Sequence, residues 1–383
     1  MPSRLARLAR FAVDHSLVLP AGALIALPWA NALPEAYARF ANRLQFAVND
    51  VGMALFFALA AKEVVEATSP GGALHTWRRA ALPVIAAAGG MIAPALIYLV
   101  YVNAANETLL VRGWAIPCAT DIAFSYLLAR AIFRRHPAIP FLLLLAIADD
   151  AFGLIILALF YPVRDLHLVA GTVLMAAALA VSYAIRRRRM TSFWPYVIGG
   201  GVLSWSALFW GGLHPALALV PIVPFLPHAP RDPGLFVEAP AGARDALSEL
   251  EHRGKYPVQV VLFFFGLVNA GVPLKAYGTG TWAVLTALLA GKPIGIVAST
   301  AIAVAAGLRL PQRLRWADLV VVGFTAAIGF TVALFFATAA FPIGPMLGEV
   351  KLGALLSVSA AVPAALVAWM LKVGRFGKPA EHP

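Results

Sequence analysis

Two adjacent aspartates, Asp149 and Asp150, stand in FLLLLAIADDAFGLIILALFY, a run otherwise apolar enough to cross a bilayer. A third carboxylate, Asp121, follows Thr120 in WAIPCATDIAFSYLLA, and one amine, Lys292, interrupts TALLAGKPIGIVASTAIAV. Each charge at the bilayer centre opposes insertion by ~2.5–3.5 kcal/mol, so the four together weigh roughly 10 kcal/mol before any pairing. Acid and base buried in one membrane chain point to an ion or proton path. The chemistry on offer is competition: a carboxylate drawn one way by desolvation and the other by a nearby cation can trade a proton for a metal ion. Neighbouring helical residues project about 100° apart, so Asp149 and Asp150 cannot face a cavity identically and should differ in role. As a pair they could carry two protons against one sodium ion, an electrogenic exchange. The competing reading is a structural ion-pair network between helices.

The remaining polar residues support or flank that pair. Thr120 and Asp121 follow Pro117, which removes a backbone donor and loosens its turn. An unwound Thr-Asp offers carbonyl, hydroxyl and carboxylate oxygens, hard donors for a small hard cation. Alternatively, Asp121 balances the dipoles of half-helix ends. Lys292 is too deep to snorkel and needs an aspartate as counter-charge, either as a proton carrier or as a structural tie. Glu63, in ALFFALAAKEVVEA with Lys62 and Glu66 beside it, is either a cation-drawing carboxylate at the cytoplasmic mouth or a solvated helix end. Asn49 and Asp50 read as capping residues, and His214 as a structural histidine at a helix start.

The elements that must position these groups are membrane helices. Of the 383 residues 61% are hydrophobic and only 13% charged, roughly half the charge of a soluble chain. The fold class is therefore an all-α polytopic membrane protein. Apolar runs place about twelve spans at 16–31, 49–67, 80–104, 112–133, 138–161, 166–185, 194–211, 213–227, 257–276, 282–307, 317–341 and 348–372. With both ends in the cytoplasm, 23 lysines and arginines fall on inside segments and six outside, with Lys292 buried; the bias fits an even number of crossings. The net charge of +12 is then a matter of orientation, and RRRR at 186–189 is an anchor rather than a nucleic-acid site. Residues 1–15 read as a cytoplasmic amphipathic segment, where Asp14 and His15 break the pattern of a cleaved leader. Residues 16–372 form one transmembrane unit, with 228–256 a cytoplasmic loop and 373–383 a cytoplasmic tail. The lone Cys118 excludes an internal disulfide, no Cys/His spacing suggests zinc, and no cofactor is expected. Breakers near buried charge, Pro117 in the fourth span and Gly323 and Gly329 in the eleventh, predict two interrupted helices. They sit in blocks of three at about 80–161 and 282–372, as inverted repeats would place them.

The segments ALPVIAAAGGMIAPALIYL, PCATDIAFSYLLA, LLLAIADDAFGLIILALFY, GLVNAGV, GKPIGI and IGFTVALFFATAAF together resemble the bacterial NhaA family of sodium/proton antiporters. The resemblance implies twelve helices in a core and an interface part, two broken helices that cross, and alternating access in the bacterial inner membrane. It implies that Asp149 and Asp150 bind sodium or lithium and exchange it for protons. It implies also that Thr120 and Asp121 tune the field at the crossing, that Lys292 pairs with an aspartate, and that Glu63 lies at the cytoplasmic entrance. Three stretches depart from the family. After the second helix the chain reads Ala61-Lys62-Glu63-Val64-Val65, displacing the family's basic residues. Leu250-Glu251-His252 is kept, but the histidine beyond it is replaced around Lys255-Tyr256. Both belong to the family's pH-sensing region. The connection 32–48 is short, leaving little room for the hairpin that pairs subunits into a homodimer.

Two other classes fit parts of the pattern. An intramembrane aspartyl protease would place Asp121 and Asp149 on different helices, but the contexts Ala-Thr-Asp and Ile-Ala-Asp-Asp lack the expected Tyr-Asp and Gly-X-Gly-Asp. A sodium-coupled symporter of an organic anion would use the broken helix ends for the anion. The paired carboxylates and the lack of a second buried cation disfavour it.

Overall fold

The computed structural model describes residues 18–134, 136–228 and 245–376. The expected N-terminal segment 1–15, most of the polar stretch after 228 and the end of the tail lie outside the described residues. The described chain is helical throughout, without a strand. In order the helices are α1 (Val18–Ala32), α2 (Pro34–Phe46), α3 (Met53–Thr68), α4 (Trp77–Ala104), α5 (Ile122–Phe133), α6 (Ala138–Phe160), α7 (Leu168–Arg187) and α8 (Val202–Gly211). They continue as α9 (Ala246–Asn269), α10 (Thr279–Thr286), α11 (Lys292–Ala305), α12 (Trp316–Ala326), α13 (Phe330–Ala340), α14 (Pro345–Leu356) and α15 (Ala361–Met370).

Six helices, some built from adjoining segments, are long and apolar enough to cross a membrane. Two bent pairs, Thr108–Cys118 with α5 and α12 with α13, make eight candidate spans among the described residues. The shorter α1, the helix α9, the segment around α8 and the turns after it are consistent with about twelve. The large side chains exposed on α4, Ile92, Leu96 and Val100, recur every fourth residue on one face. A water-facing helix would put polar residues there; an apolar outer face belongs against lipid.

Three local expectations give way. The stretch 213–227 is not a regular helix but short 3₁₀ turns at Pro215–Leu217 and Val223–Phe225. Pro215, Pro221 and Pro224 each remove a backbone donor, so an α-helical ladder cannot run through. The connection 32–48 is not loop: Pro34 opens α2, whose ring locks the first helical φ, and the chain continues through a π-helical turn, Ala47–Gly52, into α3. The stretch 246–256, in the loop expected over 228–256 where DALSELEHR could form a short surface helix, is the start of the longer α9. Asp245 caps it, its carboxylate accepting from Ser248 N at 2.8 Å, which satisfies one of the orphan donors of a helix start.

The chain divides into two compact units, Met1–His75 with Leu154–Gly271, and Thr76–Gly153 with Val272–Pro383, the boundary between Gly153 and Leu154 falling within α6. In the first, α9 packs on α1 and α3, and α7 on α8. In the second, α4 packs along α11, and α12 lies between α11 and α15. The second unit holds a long helix, a bent pair and a long helix twice over: α4, Thr108–Phe133 and α6, then α10–α11, α12–α13 and α14–α15.

The contact between α4 and α11 depends on missing side chains. A Cβ on Gly295 would stand 2.1 Å from the Gly89 carbonyl oxygen, and one on Gly89 would strike Ser299. Gly295→Val should force the helices apart at about 1–3 kcal/mol. Thermal unfolding of the purified protein in detergent checks this; an unchanged melting temperature would show that the contact is not needed.

Candidate functional site

All four charges singled out in the apolar runs lie in the second unit, and the three buried ones form two linked hydrogen-bonded groups. Lys292, the first residue of α11, follows directly on a π-helical turn, Ala287–Gly291; such bulges widen a helix and recur at functional positions. Its side chain is fully buried. The ammonium donates to Asp149 Oδ2 at 2.7 Å and to Thr120 Oγ1 at 2.8 Å. Thr120 Oγ1 lies 2.8 Å from Asp149 Oδ2 and 3.0 Å from the Ala326 carbonyl. A hydroxyl has one proton, so Thr120 donates to one of these at a time while it accepts from Lys292. Asp149 Oδ1 is buried with no hydrogen-bond partner among the described residues. Asp150, the next residue, is half-buried. One aspartate is thus held by an amine and a hydroxyl, and its neighbour is more open.

Asp121 works differently, although it adjoins Thr120. The chain leaves the 3₁₀ turn Ile116–Cys118, runs extended through Ala119 and enters α5 with Asp121 as the capping residue; the two halves meet at 52°. Between α12 and α13 the chain breaks again, at 50°. The breaks are bonded to each other. Asp121 N donates to the Ile328 carbonyl at 2.6 Å, and Ser125 Oγ to the Thr325 carbonyl at 2.8 Å. Asp121 Oδ1 accepts from Phe124 N at 3.2 Å, while Oδ2 accepts from Thr331 N at 3.1 Å and from the Thr331 hydroxyl. One carboxylate therefore caps the first turns of two half-helices, α5 and α13, whose positive dipole ends both face it. The two broken helices cross here, as expected.

The expectation of a break at Gly323 and Gly329 narrows to residues 327–329. Gly323 serves packing, since its Cβ would stand 2.5 Å from Pro293 Cα. At Gly329 the freed backbone N–H donates to Ser357 Oγ at 3.1 Å, and Ser357 donates in turn to the Ala354 carbonyl at 2.6 Å. Sequence reasoning missed Ser357. It lies in a third interruption, a 3₁₀ turn Ser357–Ala360 between α14 and α15, and a lone serine in an apolar run carries no signal of its own.

Glu63 is not part of this group. It belongs to the first unit, where Lys62 is ringed by Glu66 at 2.7 Å, Glu251 at 2.9 Å and Glu63 at 3.3 Å. The lysine, only 2% exposed, is the centre of that cluster rather than a solvated helix end. His214 lies 3.9 Å from Asp50, and its ring accepts from Ala216 N at 3.4 Å, the capping expected of a histidine at a helix start. Among the described residues no three His, Cys, Asp or Glu side chains gather as a metal cluster. What the second unit offers instead is carboxylate, hydroxyl and carbonyl oxygen, a donor set for a hard cation.

Crossed broken helices with a buried acid–base pair beside them define a class: helical membrane proteins built to handle ions inside the bilayer. Residues 8–371 match the family model described as Na+/H+ antiporter 1. The Na(+)/H(+) antiporter NhaA of Geobacter metallireducens is 44% identical over 373 residues, covering 94% of this chain and 97% of its own. That of Desulfitobacterium hafniense is 44% identical over 366 residues, with 92% and 93% covered. That of Jannaschia sp. is 43% identical over 414, with 96% and 98% covered. The solved sodium proton antiporter MjNhaP1 from Methanocaldococcus jannaschii shares the fold at a TM-score of 0.53 and 13% identity, covering 95% of this chain and 93% of that one. The chain belongs to the Na+/H+ antiporter 1 family, the NhaA antiporters.

Two changes test the geometry. Lys292→Ala leaves a buried carboxylate without its counter-charge and should cost about 3–5 kcal/mol, whereas Lys292→Met with Asp149→Leu should recover much of that. Asp121→Ala uncaps two helix starts at about 0.5–2 kcal/mol each. Apparent melting temperatures of the purified variants decide both. A double variant no more stable than Lys292→Ala would show that the pair is not what holds these helices.

Proposed function

We propose that this protein is a sodium/proton antiporter of the bacterial cytoplasmic membrane, a transporter and not an enzyme. It exports Na+, or Li+, as protons enter. The observation that carries the reading is the arrangement at α6: Asp149 tied through one oxygen to Lys292 and Thr120 with its other oxygen buried and unbonded, and Asp150 half-buried beside it. An unbonded carboxylate oxygen in a dry interior is costly unless a proton or cation visits it.

In this reading the alkali ion binds to the carboxylates of Asp149 and Asp150, and protons displace it. Thr120 and Asp121 set the field around it from the helix crossing. Lys292 holds Asp149 when the ion is absent and releases it when the ion binds; whether the amine also gives up a proton decides if it is a carrier or only a tie. Two protons against one ion make the exchange electrogenic, and access alternates between the two faces of the membrane. Both termini are placed in the cytoplasm by the lysine and arginine bias. The carboxylates around Lys62, Glu63 among them, are assigned to the cytoplasmic entrance. The blocks α4–α6 and α10–α15 are assigned to inverted repeats forming a core part. A homodimer would need a surface other than a hairpin at 34–46, because that stretch is helical.

The aspartyl protease reading loses support from the bonding: Asp121 caps two helix starts and Asp149 is paired with an amine, so neither is disposed to activate a water against the other. For exchange, everted vesicles from a host lacking its own antiporters give a direct test. Added Na+ or Li+ should discharge the proton gradient with the native chain and leave it intact with Asp150→Asn. Full exchange by both Asp150→Asn and Asp149→Asn would remove these residues from the mechanism. In proteoliposomes an imposed membrane potential should change the rate; a rate indifferent to potential would rule out two-for-one exchange.

A further inference from the structure

The first unit carries a slot that exchange does not use. It opens in the connection between α6 and α7, at the opposite end of α7 from the arginines 186–189. A pocket of about 680 Å³ lies between Arg164, Asp165 and His167 on one side and Phe209 and Trp210 on the other. His167 also lines a second, apolar groove of about 650 Å³ that runs along the first turns of α7 past Val169 and Val173. A polar mouth thus continues into an apolar channel along a membrane helix.

The mouth is preformed. Gly212 closes α8 in the left-handed region at φ 83°, and its carbonyl accepts from Val163 N at 2.9 Å and Arg164 N at 3.3 Å. A Cβ there would stand 2.6 Å from the Asp165 carbonyl oxygen. Lower down, Gly171 and Gly211 let α7 and α8 approach closely. The Arg164 guanidinium is stacked over Phe209 at 4.3 Å, which fixes its plane and leaves its edge to donate.

Position and charge indicate the occupant. α6 and α7 are both candidate spans, so the turn between them lies at a membrane surface, and Trp210, 58% exposed, is an aromatic of the kind found at that depth. Helix α7 is the least covered of the continuous spans, with 11% of its apolar window buried in protein, which leaves its surface open to acyl chains. The headgroup region holds Arg164 against Asp165, and Arg164 also lies within electrostatic range of Asp50. A net anion gains nothing from that balance; a group carrying both signs is matched at each end.

We propose that this slot binds a zwitterionic phospholipid. Its phosphate is taken by Arg164 and His167, its ammonium by Asp165 with the Trp210 face, and one acyl chain by the groove along Val169 and Val173. None of these residues belongs to the exchange site, so the inference stands or falls apart from that reading.

Native mass spectrometry of the full chain in detergent, titrated with phosphatidylethanolamine, phosphatidylcholine and phosphatidylglycerol of matched chains, tests it. The native protein should retain one zwitterionic lipid at roughly fivefold or greater preference over phosphatidylglycerol. Arg164→Gln should abolish the preference, and Asp165→Asn should narrow it by raising phosphatidylglycerol binding. Melting temperatures confirm that these exposed changes leave the fold intact. Equal retention of phosphatidylglycerol by the native chain, or a preference unchanged in Arg164→Gln, would overturn the proposal.

Discussion

The contact between Lys292 and Asp149, 2.7 Å long and 0% and 1% exposed at its two side chains, is the constraint on which the second unit depends. Neither charge can sit alone in a low-dielectric interior. To bring them together the chain sets Lys292 of α11 against Asp149 of α6 with Thr120 bonded to both, while α4 and α11 meet backbone to backbone at Gly89 and Gly295. Small residues in the flanking helices are therefore part of the electrostatics. They let the amine reach its carboxylate without tilting a helix away.

The crossing solves a second problem with the same economy. Two interrupted helices expose backbone donors and acceptors where no water is at hand. Asp121 takes the donors at the starts of α5 and α13, Thr120 and Ser125 reach the carbonyls of Ala326 and Thr325, and Ser357 takes the N–H of Gly329. Thr120 has two duties, one at the break and one at the ion pair, and it has a single proton for them. Any event that alters the Asp149 carboxylate is thereby felt at the Ala326 end of α12. This is a physical route, one hydroxyl long, from the Asp149 carboxylate to the helix break.

How much of this was legible in the sequence follows from what membrane burial makes costly. Asp149, Asp150, Asp121 and Lys292 announce themselves because charge in an apolar run needs a reason, and Pro117 before Thr120-Asp121 signals the break. The chain from 213 to 227 misleads because its apolar content resembles a span, while its four prolines decide the backbone. The stretch around Glu63 leaves two readings open in the sequence, a cation-drawing mouth or a solvated helix end. Only Glu251, some 190 residues further on, completes the ring of carboxylates around the buried Lys62. Local sequence carries no trace of a partner that distant. Ser357 lay beyond reach for the same reason, since its acceptor role is defined by Gly329 on another helix.

The two aspartates end up unequal through the helix geometry alone. A residue step of about 100° turns Asp149 towards Lys292 and Thr120 and leaves Asp150 on a more open flank of α6. A carboxylate already bound to an ammonium must break that bond before it can hold a metal ion by the same oxygen. Asp150 is only half-buried and is the more accessible of the two carboxylates. Exchanging the two residues' surroundings would exchange these environments even with both carboxylates present, which is why the position of Lys292 on α11 matters as much as the aspartate pair itself.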